Sequence, residues 1–206
     1  MTDDEDALVG RGLALNYATI TYNCLEAVVA LAAGVIAGSV SLVGFGIDSV
    51  IEVTASGAAQ WRLRAHSDDT RRERVEKSTR RIIGWSFLTL ATYVTVDSSK
   101  SLYFRDRPDP SLVGVMILTL SVIVMPLLAR AKRRVARQLD SRALEADARQ
   151  TSLCAYLSVI ALCGVTLNAL FAWWWADPVA ALGMVPIIVK EGLEGIRGHA
   201  RCDDCV

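Results

Sequence analysis

SLVGFGIDSVIEVT, residues 41–54, is an apolar run with two acids, Asp48 and Glu52, at its middle. The acids are four residues apart, so on a helix they project from the same face. A lipid-facing helix does not carry such a pair, because each acid near the centre of a bilayer costs roughly 2.5–3.5 kcal/mol even on insertion scales. The stretch therefore reads as a membrane helix whose acidic face looks inward and requires a cation.

The rest of the chain supports a membrane setting. Its 206 residues are 52% hydrophobic, with a mean hydropathy of +0.35, yet 21% are charged. That mixture is natural when apolar and charged residues are segregated into spans and loops. The formal net charge of zero argues against both a nucleic-acid surface and an acidic disordered tail. Five cysteines, three of them inside apolar runs, do not form the disulfide framework of a small secreted domain. The first residues, MTDDEDALVGRG, are acidic and lack the basic start and cleavage site of a signal peptide, so the first apolar run reads as a permanent span.

Six runs are long enough to cross a hydrocarbon core, which takes about 18 or more apolar residues. They fall near residues 13–37, 40–63, 82–104, 112–129, 148–174 and 178–196, with 1–12 ahead of them and a short tail, 197–206, behind. The expected architecture is an all-α membrane protein of six transmembrane helices, without a folded C-terminal cytoplasmic domain. Arg105 to Pro110 reads as a turn, the segments 64–81 and 130–149 as polar loops, and Asp177-Pro178 as the N-cap and first residue of the sixth helix.

Lysine and arginine place the loops. Eight lie between the second and third spans and seven between the fourth and fifth, against only Arg105 and Arg107 on the other side. By the positive-inside rule both termini and both long loops are cytoplasmic. Trp173, Trp174 and Trp175 then sit at the far interface, with Trp61 and Trp85 near the cytoplasmic one, as aromatic belts require. The basic loops themselves read as a solvated face that fixes topology.

A second polar group opens the fifth span. Asp147, Gln150 and Cys154 stand at i, i+3 and i+7 on one helical face, and Gln150 and Cys154 are spaced like Asp48 and Glu52. Two such helices packed together offer four donors: two carboxylates, an amide oxygen and a sulfur. That set suits a divalent transition ion, zinc first, with cadmium favoured by the thiolate. Asp147 stands at the entrance. Because the ion and protons compete for the same acids, the site also has the chemistry that proton-coupled exchange requires.

Plainer readings stand beside this one. Asp48 or Glu52 can pair with Lys100 as an internal salt bridge. Asp97 and Lys100, at i, i+3, read as a local ion pair. Asn23 and Glu26 of the first span read as packing or vestibule groups, and Cys24 and Cys163 as core. Gly34, Gly38, Gly44 and Gly46 allow the first two helices to approach closely, while Pro126 and Pro186 are candidate kinks. His66 lies in a cytoplasmic loop and reads as solvated.

DSVIE in the second span, ADARQTSLC opening the fifth and WWWADPVAAL leading into the sixth resemble the transmembrane domain of the cation diffusion facilitator family. The likeness is to its branch related to the vesicular zinc-efflux transmembrane proteins, where the second-span motif is likewise Asp-x-x-x-Glu. The resemblance implies a homodimeric exporter of zinc or a similar divalent ion, working by alternating access against protons, in the plasma (inner) membrane if bacterial. By matching positions, Asp48 and Glu52 take the second-span ligand places and Gln150 and Cys154 those of the fifth span. There the family usually has His or Asp, and then Asp, so this donor set departs from its pattern.

Typical members also carry a folded cytoplasmic domain after the sixth span. Here the tail HARCDDCV instead places His199, Cys202 and Cys205 in a spacing that can capture a metal ion or can equally belong to a disordered end. No nucleophile–base pair or cofactor loop is present, which disfavours an enzyme. A membrane metal sensor or partner subunit that never transports would need the same ligands, and sequence alone does not separate it from a transporter.

Overall fold

Apolar composition and the backbone's need for internal hydrogen bonds leave the helix as the natural element for this chain. The computed structural model describes residues 3–64, 69–139 and 142–197. Six helices account for nearly all of them: α1 (Asp3–Ala37), α2 (Val40–Arg64), α3 (Asp69–Phe104), α4 (Leu112–Gln138), α5 (Arg142–Phe171) and α6 (Ala176–Arg197). Several run beyond their apolar spans. Much of the expected 64–81 loop is the start of α3, α4 continues through its basic residues to Gln138, and α5 begins about two turns before Gln150. Charged segments of good helix formers simply extend the spans.

Four stretches are long and apolar enough by themselves to cross a membrane: Ala7–Ala37, Val40–Trp61, Leu112–Gln138 and Leu144–Phe171. The other two helices are more polar for identifiable reasons. Along α3, Ser86, Thr89, Thr92, Thr95 and Ser99 each turn the hydroxyl back onto the carbonyl four residues earlier, satisfying it within the helix. Helix α6 carries Asp177 at its start and Lys190, Glu191 and Glu194 near its end. The chain is an integral membrane protein of the six-helix type.

The principal pairs are α1 with α2, α4 with α5, and α3 with α6, while α2 also touches α3, α5 and α6. Small residues set two of these contacts. A Cβ at Gly34 would lie 2.8 Å from the backbone nitrogen of Val43, and one at Gly46 would lie 3.0 Å from that of Leu31, so α1 and α2 meet nearly backbone to backbone. Gly84 and Gly192 do the same for α3 and α6. Gly44 instead faces Val94 and Met184, and Gly38 supplies the left-handed turn between α1 and α2 at φ 64°. Pro126 and Pro186 both lie inside unbroken helices.

The main core gathers Leu42, Phe45, Phe87, Val94, Leu118, Met125, Leu157, Met184 and Ile188. A smaller cluster of Val135, Ala136 and Leu144, with Leu15 and Leu139 against it, sits where α4 ends and α5 begins. This is the basic end of the bundle; the opposite end carries Trp173 stacked on Trp175.

Two local expectations are corrected. Asp177 does not cap its own helix, which already starts at Ala176. Its carboxylate caps α2 instead, accepting from Ser39 Oγ at 2.7 Å, from the Val40 backbone nitrogen at 2.9 Å and from Ser41 Oγ. It adds to the N-cap that Ser39 supplies along the chain, whose Oγ accepts from the Leu42 backbone nitrogen at 3.2 Å. Cys24 and Cys163 are exposed on the bundle's surface, not core, which a small apolar side chain beside lipid tolerates.

Candidate metal-ion site

The α2 residues Asp48, Glu52 and Ser56 rise one above the other at i, i+4 and i+8, and all three are fully buried. Facing them, α5 presents Asp147, Thr151 and Cys154, each buried, with Gln150 at 9% exposure. Because α5 starts at Arg142, these residues lie inside the bundle rather than at a helix mouth, and the two faces meet at a common depth.

Cys154 is beside Asp48, Glu52 and Glu26, close enough for all three acids to act on it electrostatically. Neither oxygen of Asp48 and neither oxygen of Glu52 has a hydrogen-bond partner. Buried polar atoms are nearly always paired, and carboxylate oxygens above all. Two carboxylates without partners and a thiol therefore share one buried pocket, side-chain types that ligate metal ions in general.

Lys100 does not meet that need, being exposed while Asp48 and Glu52 are fully buried. Nor does it pair with Asp97, as the i, i+3 spacing suggested. Asp97 instead accepts a hydrogen bond at 3.1 Å from Tyr93 Oη, one turn earlier on the same face.

The side chains are gathered but not drawn onto a point. Among the described residues, no group of three or more His, Cys, Asp or Glu side chains stands close enough to hold a metal ion as built. Gln150 is buried beside them at the edge of the pocket, and its Nε2 likewise has no partner. Asp147 is not free at an entrance. It accepts from Ser56 Oγ at 2.7 Å and forms an ion pair at 2.7 Å with Lys132 of α4. His66, His199, Cys202 and Cys205 lie outside the described residues.

Two contributors were not legible as site residues. Glu26 of α1 is fully buried. It accepts from Ser49 Oγ at 2.8 Å and lies 4.0 Å from Cys154 Sγ, with its second oxygen unpartnered. It stands in the pocket, not in a packing or vestibule position. Asn23, one turn earlier on α1, is likewise buried with both side-chain polar atoms unpaired. Lys132 is the second, a fully buried cation within a segment that reads as a solvated basic loop. The buried polar centre thus holds Glu26, Asp48, Glu52 and Asp147 against a single ammonium among the described residues.

Residues 17–200 match the cation efflux transmembrane domain. The chain is 28% identical over 182 residues to magnetosome protein MamB of Paramagnetospirillum magneticum (strain AMB-1), covering 84% of this chain and 61% of that protein. It is also 28% identical over 182 residues to magnetosome protein MamB of Magnetospirillum gryphiswaldense (strain MSR-1). The chain therefore spans about three fifths of the length of these relatives. With a family match over nearly the whole chain and a buried acidic pocket at its centre, the chain belongs to the cation efflux family, the cation diffusion facilitators.

Proposed function

We propose that this chain moves a divalent transition-metal ion across a membrane in exchange for protons. Asp48, Glu52 and Cys154 are the principal ligands, with Gln150 assisting as the site closes. The observation that carries this reading is the pair of fully buried carboxylates on α2 with no hydrogen-bond partner at any of their four oxygens. A structural salt bridge would have closed an ammonium onto these oxygens, whereas the buried ammonium of Lys132 is paired with Asp147 instead. A transport site keeps the position for a cation that comes and goes.

The donor set argues for an ion at ease with both oxygen and sulfur, with zinc first and cadmium second. Glu26 brings a third carboxylate within reach, which offsets the lack of a histidine among the described residues of the pocket. Metal binding displaces protons from such acids, so an opposing proton flux follows from the same residues. Family membership supports a homodimer, and the loop charges support cytoplasmic basic ends, in the plasma (inner) membrane if the source is bacterial.

The test is flux. Purified protein is placed in sealed vesicles carrying an internal zinc-sensitive dye, with a pH gradient imposed. Saturable zinc movement is expected, accelerated by the gradient and lost in Asp48→Asn. Zinc binding without movement would replace the transporter with a metal sensor or partner subunit built on the same ligands.

A further inference from the structure

Lysine is almost never fully buried unless paired, and Lys132 is paired completely. Its Nζ lies 2.7 Å from Asp147 Oδ2, 3.1 Å from Thr151 Oγ1 and 3.3 Å from Ser56 Oγ. The ammonium donates two hydrogen bonds, to the Thr151 and Ser56 hydroxyls, and meets Asp147 as an ion pair, so all its polar contacts here come from two helices. Ser56 in turn donates to the other Asp147 oxygen at 2.7 Å, so the cradle is closed on itself. These acceptors lie directly on the α2–α5 ladder. Ser56 is one turn below Glu52, and Asp147 and Thr151 precede Cys154 on the facing helix. Beyond them, towards the basic end, comes the apolar cluster around Val135, Ala136 and Leu144.

The lysine comes from neither of these helices. It reaches in from α4, and its charge acts on Glu52 of the pocket above. The cradle is therefore a cation site in its own right, made entirely of oxygen donors, and the protein fills it with a tethered ammonium.

We propose that Ser56, Asp147 and Thr151 form a second cation site, adjoining the transport pocket, and that Lys132 is its resident occupant, limiting the chain to one divalent ion at a time. This inference rests on the reading of Asp48, Glu52 and Cys154 as the transport site. An ammonium held one turn from Glu52 opposes a second dication beside the first, because unit charges at such separations interact appreciably in a low-dielectric interior. An oxygen-only cradle suits a hard ion such as Mn2+, in contrast to the thiol-containing pocket above it, which suits a soft one such as Cd2+. The ladder thus has two rungs of different chemistry, and the lysine keeps the hard one closed.

The experiment counts ions on the full chain in detergent. Cd2+ is added to saturation, Mn2+ is then titrated by equilibrium dialysis, and both are read by elemental analysis. Wild type is expected to retain Cd2+ and take up no Mn2+ at the cradle. Lys132→Gln is expected to keep its Cd2+ and gain about one Mn2+ per chain, with the gain absent from Lys132→Gln/Asp147→Asn. A Lys132→Gln protein that is helical and binds no additional Mn2+, or whose gain survives the loss of the Asp147 charge, overturns the proposal. Should Lys132→Gln be recovered in low yield, its unfolding midpoint with and without Mn2+ carries the same information. Stabilisation by Mn2+ beyond that of wild type supports the second site, and none contradicts it. Failure of wild type to bind Cd2+ counts against the transport-site reading, whereas the Mn2+ gain in Lys132→Gln is decided separately.

Discussion

Asp177 and Asp48 are both buried aspartates serving the same helix, and they could hardly be treated more differently. Asp177 meets Ser39 Oγ, Ser41 Oγ and the Val40 backbone nitrogen, tying the start of α6 to the first turn of α2. Asp48, two turns further along α2, meets no donor at either oxygen. One acid is consumed by the fold and the other is left available by it. Burial alone therefore does not distinguish the two acids; the lack of a hydrogen-bond partner at Asp48 does.

Exchanging the two situations should produce the largest effects. Asp48→Asn removes a charge from the pocket while keeping its shape. Outer-shell partners of metal ligands are worth about 10–100-fold in affinity, so losing a ligand itself should cost at least ~100-fold in zinc affinity and abolish vesicle flux. Its thermal stability without metal should hold, because Asn keeps the size and neutrality of the protonated acid that an empty exchange site carries. Asp177→Ala should behave in the opposite way. It removes the acceptor shared by Ser39, Ser41 and the Val40 backbone nitrogen and leaves Ser39 alone to cap α2, each charge-assisted bond being worth on the order of 1.5–3 kcal/mol. The expected signature is a lowered unfolding temperature in detergent, with metal affinity changed far less. If Asp177→Ala lost metal binding at unchanged stability, the contrast between the two acids would collapse.

A smaller effect belongs to the sulfur. Cys154→Ser should weaken cadmium more than zinc, with a relative shift of about tenfold, or about 1.4 kcal/mol, and Cys154→Asp should move preference towards harder ions. Equal affinities for every metal tested would remove Cys154 from the site. Acidification sharpens the same comparison. Protons and metal compete for Asp48 and Glu52, so apparent zinc affinity should fall as pH falls, and this dependence should diminish in Asp48→Asn. The smallest effect expected is that of deleting the residues after Arg197, which carry His199, Cys202 and Cys205. Apparent affinity should drop modestly while maximal rate is kept, and no change in either would make the tail a bystander.

The six-helix architecture and the α2 acids were legible because hydrophobic runs and an i, i+4 acidic pair within one of them have few physical explanations. The depth of the α5 donors was not, since apolarity marks only where a span ends and not where its helix does. RALEADARQ simply continues α5 outwards past Gln150. Lys132 was hidden for a related reason. It is one of several cations in a basic segment, and nothing in the sequence distinguishes the lysine that turns inward from those that face solvent. Glu26 stood alone in an apolar helix, without a second acid at helical spacing to mark a face; its meaning comes from Ser49 and Cys154 on other helices. Asp177 was recognised as a capping residue but assigned to the wrong helix, because a sequence shows which helix starts next to an acid and not which one packs beside it.

The central claim is that the partnerless acids of α2 bind metal and the partnered acid at its N-terminus does not. Metal content measures this most directly. Wild type, Asp48→Asn and Asp177→Asn are purified in parallel from zinc-supplemented medium, without chelator, and bound zinc is counted per chain. The account predicts zinc on wild type and Asp177→Asn and its loss from Asp48→Asn; zinc retained in full by Asp48→Asn would contradict it.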